Sequence, residues 1–180
     1  METYTWVPGT EPELDKAFDT VREQRYQDQE HRLWENYSRE HFQNAVALTI
    51  AFNKEGIPEI CSSIASRDCW PVGAYRVLNR MWKHSNKVAH SVKISTAMVS
   101  NVQSQIDWLE QFTDCKMYFI SRQTDNWMEW VAGKFKSQYG LEFNIAPYKY
   151  LTCPNECDDT CWQRVIYAGD EKLLNEWKSK

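Results

Sequence analysis

The chain has 180 residues, 42% apolar and 26% charged, the proportions of an ordinary globular domain long enough to bury a core without disulfide or metal staples. Nine Trp, nine Tyr and seven Phe exclude intrinsic disorder, and no apolar run approaches the ~18 residues that cross a bilayer. A net charge of −4 excludes a basic coat for polyanions.

Met1 to Gly9 carries no basic residue and no hydrophobic signal stretch, so a cytoplasmic protein with no membrane partner is expected. Along the chain, Thr10 is placed to cap a helix, Pro12 to open it and Glu13 to complete a capping box. Leu14, Ala17, Phe18 and Val21 follow with helical spacing, and helical character is expected to about Trp34. Ala45 to Asn53 is short, apolar and β-branched and reads as a buried strand. Lys54-Glu55-Gly56 turns the chain, and Pro58 to Ala65 returns as the second arm of a hairpin. Tyr75 to Lys83 alternates as a third strand, a helix being the other reading. Ser95 or Thr96 then starts a helix striped by Met98, Val102, Ile106 and Leu109. Cys115 to Ser121 is a strand. Thr124 or Asp125 caps a helix carrying Trp127, Val131 and Phe135, which ends near Gly140. Phe143 to Leu151 and Trp162 to Tyr167 are the last strands.

This order predicts one α/β domain over residues 1–180, with a helical region at 10–40 and a core at 45–167. Its centre is a mixed sheet of about six or seven strands flanked by helices.

Charge is unevenly spread. Arg67, Arg76, Arg80, Lys83, Lys87 and Lys93 face a single acid, Asp68, between positions 67 and 93. That local +5 leaves −9 for the remainder of a chain whose net charge is −4. A concentrated basic segment in an acidic chain suits a local anionic ligand, although a solvated loop with spare lysines has the same composition. The segment runs through His84-Ser85-Asn86-Lys87 to a helix start, where free N–H groups and the dipole favour a phosphate. No glycine lies between His84 and Asn101, so the glycine-rich phosphate loops are absent. Trp70 and Trp82 flank the basic strand and suit either core packing or stacking on an adenine or nucleic-acid base. Trp108 and Trp127 fit helix-on-sheet packing. No Gly-x-Ser-x-Gly elbow is present.

Taken in order, the elements from Ala45 to Tyr167 resemble the GNAT (GCN5-related N-acetyltransferase) fold, most closely from Tyr75 onward. Tyr75 to Lys83 matches that family's central strand, His84 to Ser95 its pyrophosphate turn and Cys115 to Ser121 its next strand. Gln123-Thr124-Asp125-Asn126 stands where the family places an Asn beside coenzyme A, and Phe135 to Leu141 is similar to its Phe-Tyr…Gly-Phe segment. The chain also resembles small GNAT-like proteins encoded by bacteriophages. The resemblance implies acyl transfer from acetyl-CoA or another acyl-CoA to an unidentified amine. Lys87, Lys93, Ser95 and Thr96 would hold the pyrophosphate, with Lys83 as a further cofactor contact. The central strand would align the pantetheine arm near Met81, and Asn126 would touch it. His84 or Glu59 would act as base and a strand amide would meet the oxyanion. The family's proton-donating tyrosine aligns with Lys136, leaving Tyr139 as the nearest substitute. The family's turn is rich in glycine and this one is not. The alternative is therefore a non-catalytic GNAT-fold protein that binds a protein, nucleic-acid or nucleotide partner through residues 67–93.

Cys153, Cys157 and Cys161 are each separated by three residues, a spacing that matches no common zinc finger. Zinc would need a fourth ligand from Cys115 or a histidine, and the acidic neighbours raise thiol pKa values. The six cysteines are expected to be mainly free thiols with no tightly bound metal. Elemental analysis of the purified protein is expected to find well below one equivalent of zinc; a stoichiometric metal that survives chelation overturns this.

Overall fold

A computed structural model describes residues 2–27, 42–83, 96–122, 125–152 and 162–177. Its elements are β1 (Glu2–Trp6), α1 (Pro12–Gln27), β2 (Ala47–Phe52), β3 (Pro58–Ala65), β4 (Ala74–Lys83), α2 (Thr96–Phe112), β5 (Met117–Arg122), α3 (Asp125–Tyr139), β6 (Asn144–Ile145), β7 (Tyr150–Leu151), β8 (Trp162–Gly169) and α4 (Leu173–Glu176). The strands form a mixed eight-stranded sheet in the order β1-β2-β3-β4-β5-β8-β6, with β7 also on β8. The β4–β5 pair is parallel, whereas β1–β2, β2–β3 and β5–β8 are antiparallel.

Sequence expectation and structure agree on the hairpin, the central strand and the two long helices. They differ at the edges. β1 was not expected, although its alternating Thr3, Tyr4, Thr5 and Trp6 suit a strand, and it helps bring the count to eight rather than six or seven. The anticipated strand from Phe143 to Leu151 is two short pieces. Pro147 lies between them and lacks the N–H that a continuous ladder needs. Thr10 does not cap α1: its hydroxyl donates to Val7 O (2.6 Å), while Asp15 accepts Gly9 N–H (3.0 Å) and Trp6 Nε1–H (2.9 Å).

The chain divides into two compact units, residues 1–65 with 78–108, and residues 66–77 with 109–180. In the first, side chains alternate across the β1–β2–β3 sheet. Trp6, Leu48, Ile50 and Cys61 face α1 and close a buried cluster with Phe18, Val21 and Phe42. The opposite face carries a row of hydroxyls, because Thr5 pairs with Thr49 and Thr49 with Ser62 in register. Asn53 Oδ1 shapes the β2–β3 turn by accepting the N–H groups of Glu55 and Ile57.

The second unit is built on aromatic rings. Trp70, Tyr150 and Trp177 are buried with Phe119, and Phe119 lies 5.1 Å from Trp70 and 4.7 Å from Trp177, both edge-on. Tyr150 lies 4.8 Å from Trp177, whose indole N–H donates to Leu151 O (3.1 Å). At the end of β8, Gly169 has φ +111° and passes so close to Lys116 that a Cβ would lie 2.3 Å from its carbonyl oxygen. Trp177→Ala removes three ring contacts and a buried hydrogen bond, and is expected to cost about 3–5 kcal/mol in urea unfolding. Trp130→Ala, at a site 43% exposed, is expected to change stability by about 0.5 kcal/mol or less.

Candidate functional site

Within the first unit, the second half of β4 carries Met81 and Lys83 and the start of α2 carries Thr96, three of the residues that the sequence singled out. α2 sits on the hydroxyl-bearing face of the sheet. Thr3 and Ser100 hydroxyls meet at 2.5 Å, and the Thr5 hydroxyl meets Ser104 at 2.7 Å and Thr49 at 3.0 Å. Deeper in the interface the bonds form a chain of one sense. The N–H of Leu78 donates to Gln105 Oε1 (2.8 Å), and Gln105 Nε2 donates to Ser62 Oγ (3.0 Å). Ser62 in turn donates to Asn101 Oδ1 (2.5 Å), and Asn101 Nδ2 donates to Ala97 O (3.3 Å). Ser62, Asn101 and Gln105 are fully buried, so each of these bonds replaces water that is not there.

The first link has a backbone consequence. Leu78 has φ +53°, the only positive φ of a non-glycine residue among the described residues. A bulky residue in that region costs roughly 1–3 kcal/mol and persists only where its surroundings enforce it. Gln105 supplies part of that enforcement. Ser63 supplies more at the next residue, its hydroxyl donating to Asn79 O (3.3 Å) while Asn79 Nδ2 donates back to Ser63 Oγ (3.3 Å). In the other unit the recorded β4–β5 ladder runs from Ala74 to Arg76.

Of the predicted site residues, Glu59 (β3, half-buried), Met81 and Lys83 (β4) and Thr96 (exposed, first residue of α2) belong to the first unit. Asn126 and Tyr139 lie on α3 in the second unit. His84, Lys87, Lys93 and Ser95 lie outside the described residues, as do Cys153, Cys157 and Cys161. The sequence reading missed Leu78, Gln105, Ser62 and Asn101. Asn101 and Gln105, four apart on an otherwise apolar stripe, and the Ser pair inside an apolar strand were legible signals. Nothing in a leucine announces a left-handed backbone.

Packing decides between the two readings of Trp70 and takes Arg76 out of the exposed basic segment. Trp70 is 5% exposed, and the guanidinium of Arg76 lies 5.0 Å from its ring centroid. The indole face is thus taken by a cation from the same chain, and neither group offers itself to a base or a phosphate. A cavity of about 340 Å³ lies by α1, lined in part by Asp15, Asp19, Phe18 and Phe42; both oxygens of Asp15 are already committed to Trp6 and Gly9.

Cys61, Cys69 and Cys115 are in no disulfide. Burial pushes the Cys61 thiol up. Burial also drives Cys115 up to about 11, outweighing a lowering contribution from the Met117 backbone, with Asp114 and Glu110 adding to the rise. Neither is a nucleophile at neutral pH. Among the described residues no group of three or more His, Cys, Asp or Glu could hold a metal ion, and no helix is long and apolar enough to cross a membrane.

No protein-family profile and no curated protein sequence matches the chain. Solved structures do. A candidate N-acetyltransferase from Lactobacillus plantarum superposes with a TM-score of 0.56 at 8% identity, covering 93% of this chain and 97% of its own. A point mutant of the spermidine N-acetyltransferase SpeG from Vibrio cholerae gives 0.53 at 7% identity, covering 98% of this chain and 99% of its own. This is a GNAT fold. At such identities the likeness is one of backbone architecture. What positions β4 inside this GNAT fold is the chain's own amide and hydroxyl relay.

Ser62 is its hinge, since it both accepts and donates. Ser62→Ala leaves Gln105 Nε2 and Asn101 Oδ1 unpaired in a dry interface, at about 1–3 kcal/mol for each group. Scanning calorimetry is expected to show a total loss of about 2–4 kcal/mol, against almost none for Ser66→Ala on the exposed segment after β3.

Proposed function

We propose that the chain is an acyl-CoA-dependent N-acyltransferase, moving an acyl group from a thioester to an amine. The observation that carries this reading is the interruption of β4 at Leu78 inside a GNAT fold. There Leu78 stands at φ +53° and the Leu78 N–H and Asn79 carbonyl turn to side chains of α2 and β3, and a strand bent in this way re-aims the peptide groups beyond the bend, which can then meet an extended ligand. The start of α2 fits a diphosphate: no acidic residue occupies its first turn, so the positive end of a 17-residue helix is left uncompensated.

In this reading Lys83, Lys87, Lys93, Ser95 and Thr96 hold the diphosphate of acyl-CoA. The backbone near Met81 aligns the pantetheine arm and Asn126 contacts it. Acyl-CoA supplies an acyl group already activated as a thioester. His84 or Glu59, directly or through a water, accepts the proton that the attacking amine gives up. A β4 amide donates to the carbonyl oxygen as charge develops on it, and Tyr139 returns a proton to the departing sulfur. The competing reading, a non-catalytic protein that grips a macromolecule or nucleotide through residues 67–93, is weakened by Arg76 and Trp70. Both are buried against each other and are lost to such a surface.

Calorimetric titration with acetyl-CoA tests the proposal. The parent protein is expected to bind, and replacing both Lys87 and Lys93 with Glu is expected to weaken binding at least about a hundredfold. Each charge-assisted contact is worth roughly 1.5–3 kcal/mol, and a hundredfold corresponds to about 2.7 kcal/mol. Failure of the parent to bind any acyl-CoA thioester rejects the enzyme reading. Equal binding by parent and double variant places the diphosphate elsewhere.

A further inference from the structure

We infer that Gln105 is a positioning residue for coenzyme binding: it sets the geometry of β4 by holding Leu78 in its left-handed conformation. The inference rests on the acyltransferase reading above and concerns the same strand.

In a regular strand, successive peptide groups point alternately to either side, and each N–H finds a partner in a neighbouring strand. A residue at φ +53° breaks that alternation, as a bulge does, so the peptide groups beyond it are re-aimed. Here the break falls three residues before Met81, where the pantetheine arm is placed. Leucine does not choose this conformation. The N–H that would otherwise be stranded is taken by Gln105 Oε1 at 2.8 Å. Gln105 is not free to swing away, because its amide nitrogen is bonded to Ser62, and Ser62 is bonded to Asn101 on the same helix. The acceptor is therefore fixed from two sides, by β3 and by α2, in an interface closed to water. A water could not replace it.

The decisive experiment separates conformation from stability. Gln105→Met keeps the length of the side chain but cannot accept the Leu78 N–H. Acetyl-CoA affinity, measured by calorimetry at a temperature where the variant is folded, is expected to fall at least tenfold. Thr5→Val and Ser104→Ala remove other bonds of the same helix–sheet interface and are expected to leave affinity within twofold. The double variant Gln105→Met with Leu78→Gly supplies a residue that adopts φ +53° unaided. It is expected to regain most of the lost affinity although it also loses a buried leucine and melts lower. A purely structural role for Gln105 gives the opposite ranking, with affinity following melting temperature and the double variant worst; that ranking overturns the inference. So does unchanged affinity in Gln105→Met.

Should Gln105→Met fail to fold, Gln105→Glu takes its place at mildly acidic pH. A protonated carboxyl can still accept from Leu78 and donate to Ser62. Affinity within threefold of the parent supports the inference, and a tenfold loss in a folded protein overturns it. A parent that binds no acyl-CoA rejects the functional reading itself and this inference with it. A parent that binds while Gln105→Met binds equally well rejects the inference alone.

Discussion

Gln105 takes a main-chain N–H from β4 with one end of its amide and gives an N–H to Ser62 on β3 with the other. No aliphatic residue can do both. Much of the first unit is organised around that requirement. α2 must lie close enough for the amide to reach, which demands small hydroxyl side chains in the interface, and Thr3, Thr5, Thr49, Ser62, Ser100 and Ser104 provide them. The sheet must turn this row inward while its other face meets α1. Strict alternation of Trp6, Leu48, Ile50 and Cys61 against those hydroxyls accomplishes it. The strain at Leu78 is then tolerable because its N–H has a fixed partner.

The second unit solves a different problem by different means. Its elements are short: β6 and β7 have two residues each and α4 has four, too few to hold themselves. Large rings compensate. Trp177, just past α4, touches Phe119, Tyr150 and Trp70, and so fastens a small helix to β5 and β7. β8 threads past Lys116 where only a glycine fits, and Asp170 N–H then closes on Lys116 O at 2.8 Å. Arg76 packs its guanidinium on the outer member of the ring cluster, which spends a cation of the basic segment on the interior.

Much of this was legible in the residues. A short apolar, β-branched run located β2, Gly56 marked the turn into β3, and the helical spacing of Met98, Val102, Ile106 and Leu109 located α2, all four being buried. The order of these elements, with the segments at 123–126 and 135–141, resembled the GNAT fold, and the solved structures bear that fold out. β1 escaped because five residues beside an unremarkable terminus carry little periodic signal. Pro147 was a visible interruption whose effect on the last strands was underestimated. The site was harder to read. A charge count treats Arg76 and Lys93 alike, and only packing reveals that one of them is buried on an indole. Polar residues in an apolar stripe signal a buried network, but their partners come from strands 27 to 43 residues away, and that distance hides the pairing.

The two faces of the first sheet also respond differently to temperature. The α1 side is held by apolar burial, whose driving force weakens on cooling and carries a large heat capacity. The α2 side adds to its own apolar stripe of Met98, Val102, Ile106 and Leu109 a set of directional bonds between hydroxyls and amides, and hydrating polar surface contributes to heat capacity with the opposite sign. Cooling therefore weakens the apolar share of both faces while those bonds stay in place. The strand geometry at Leu78 is tied to the bonds and not to apolar burial alone.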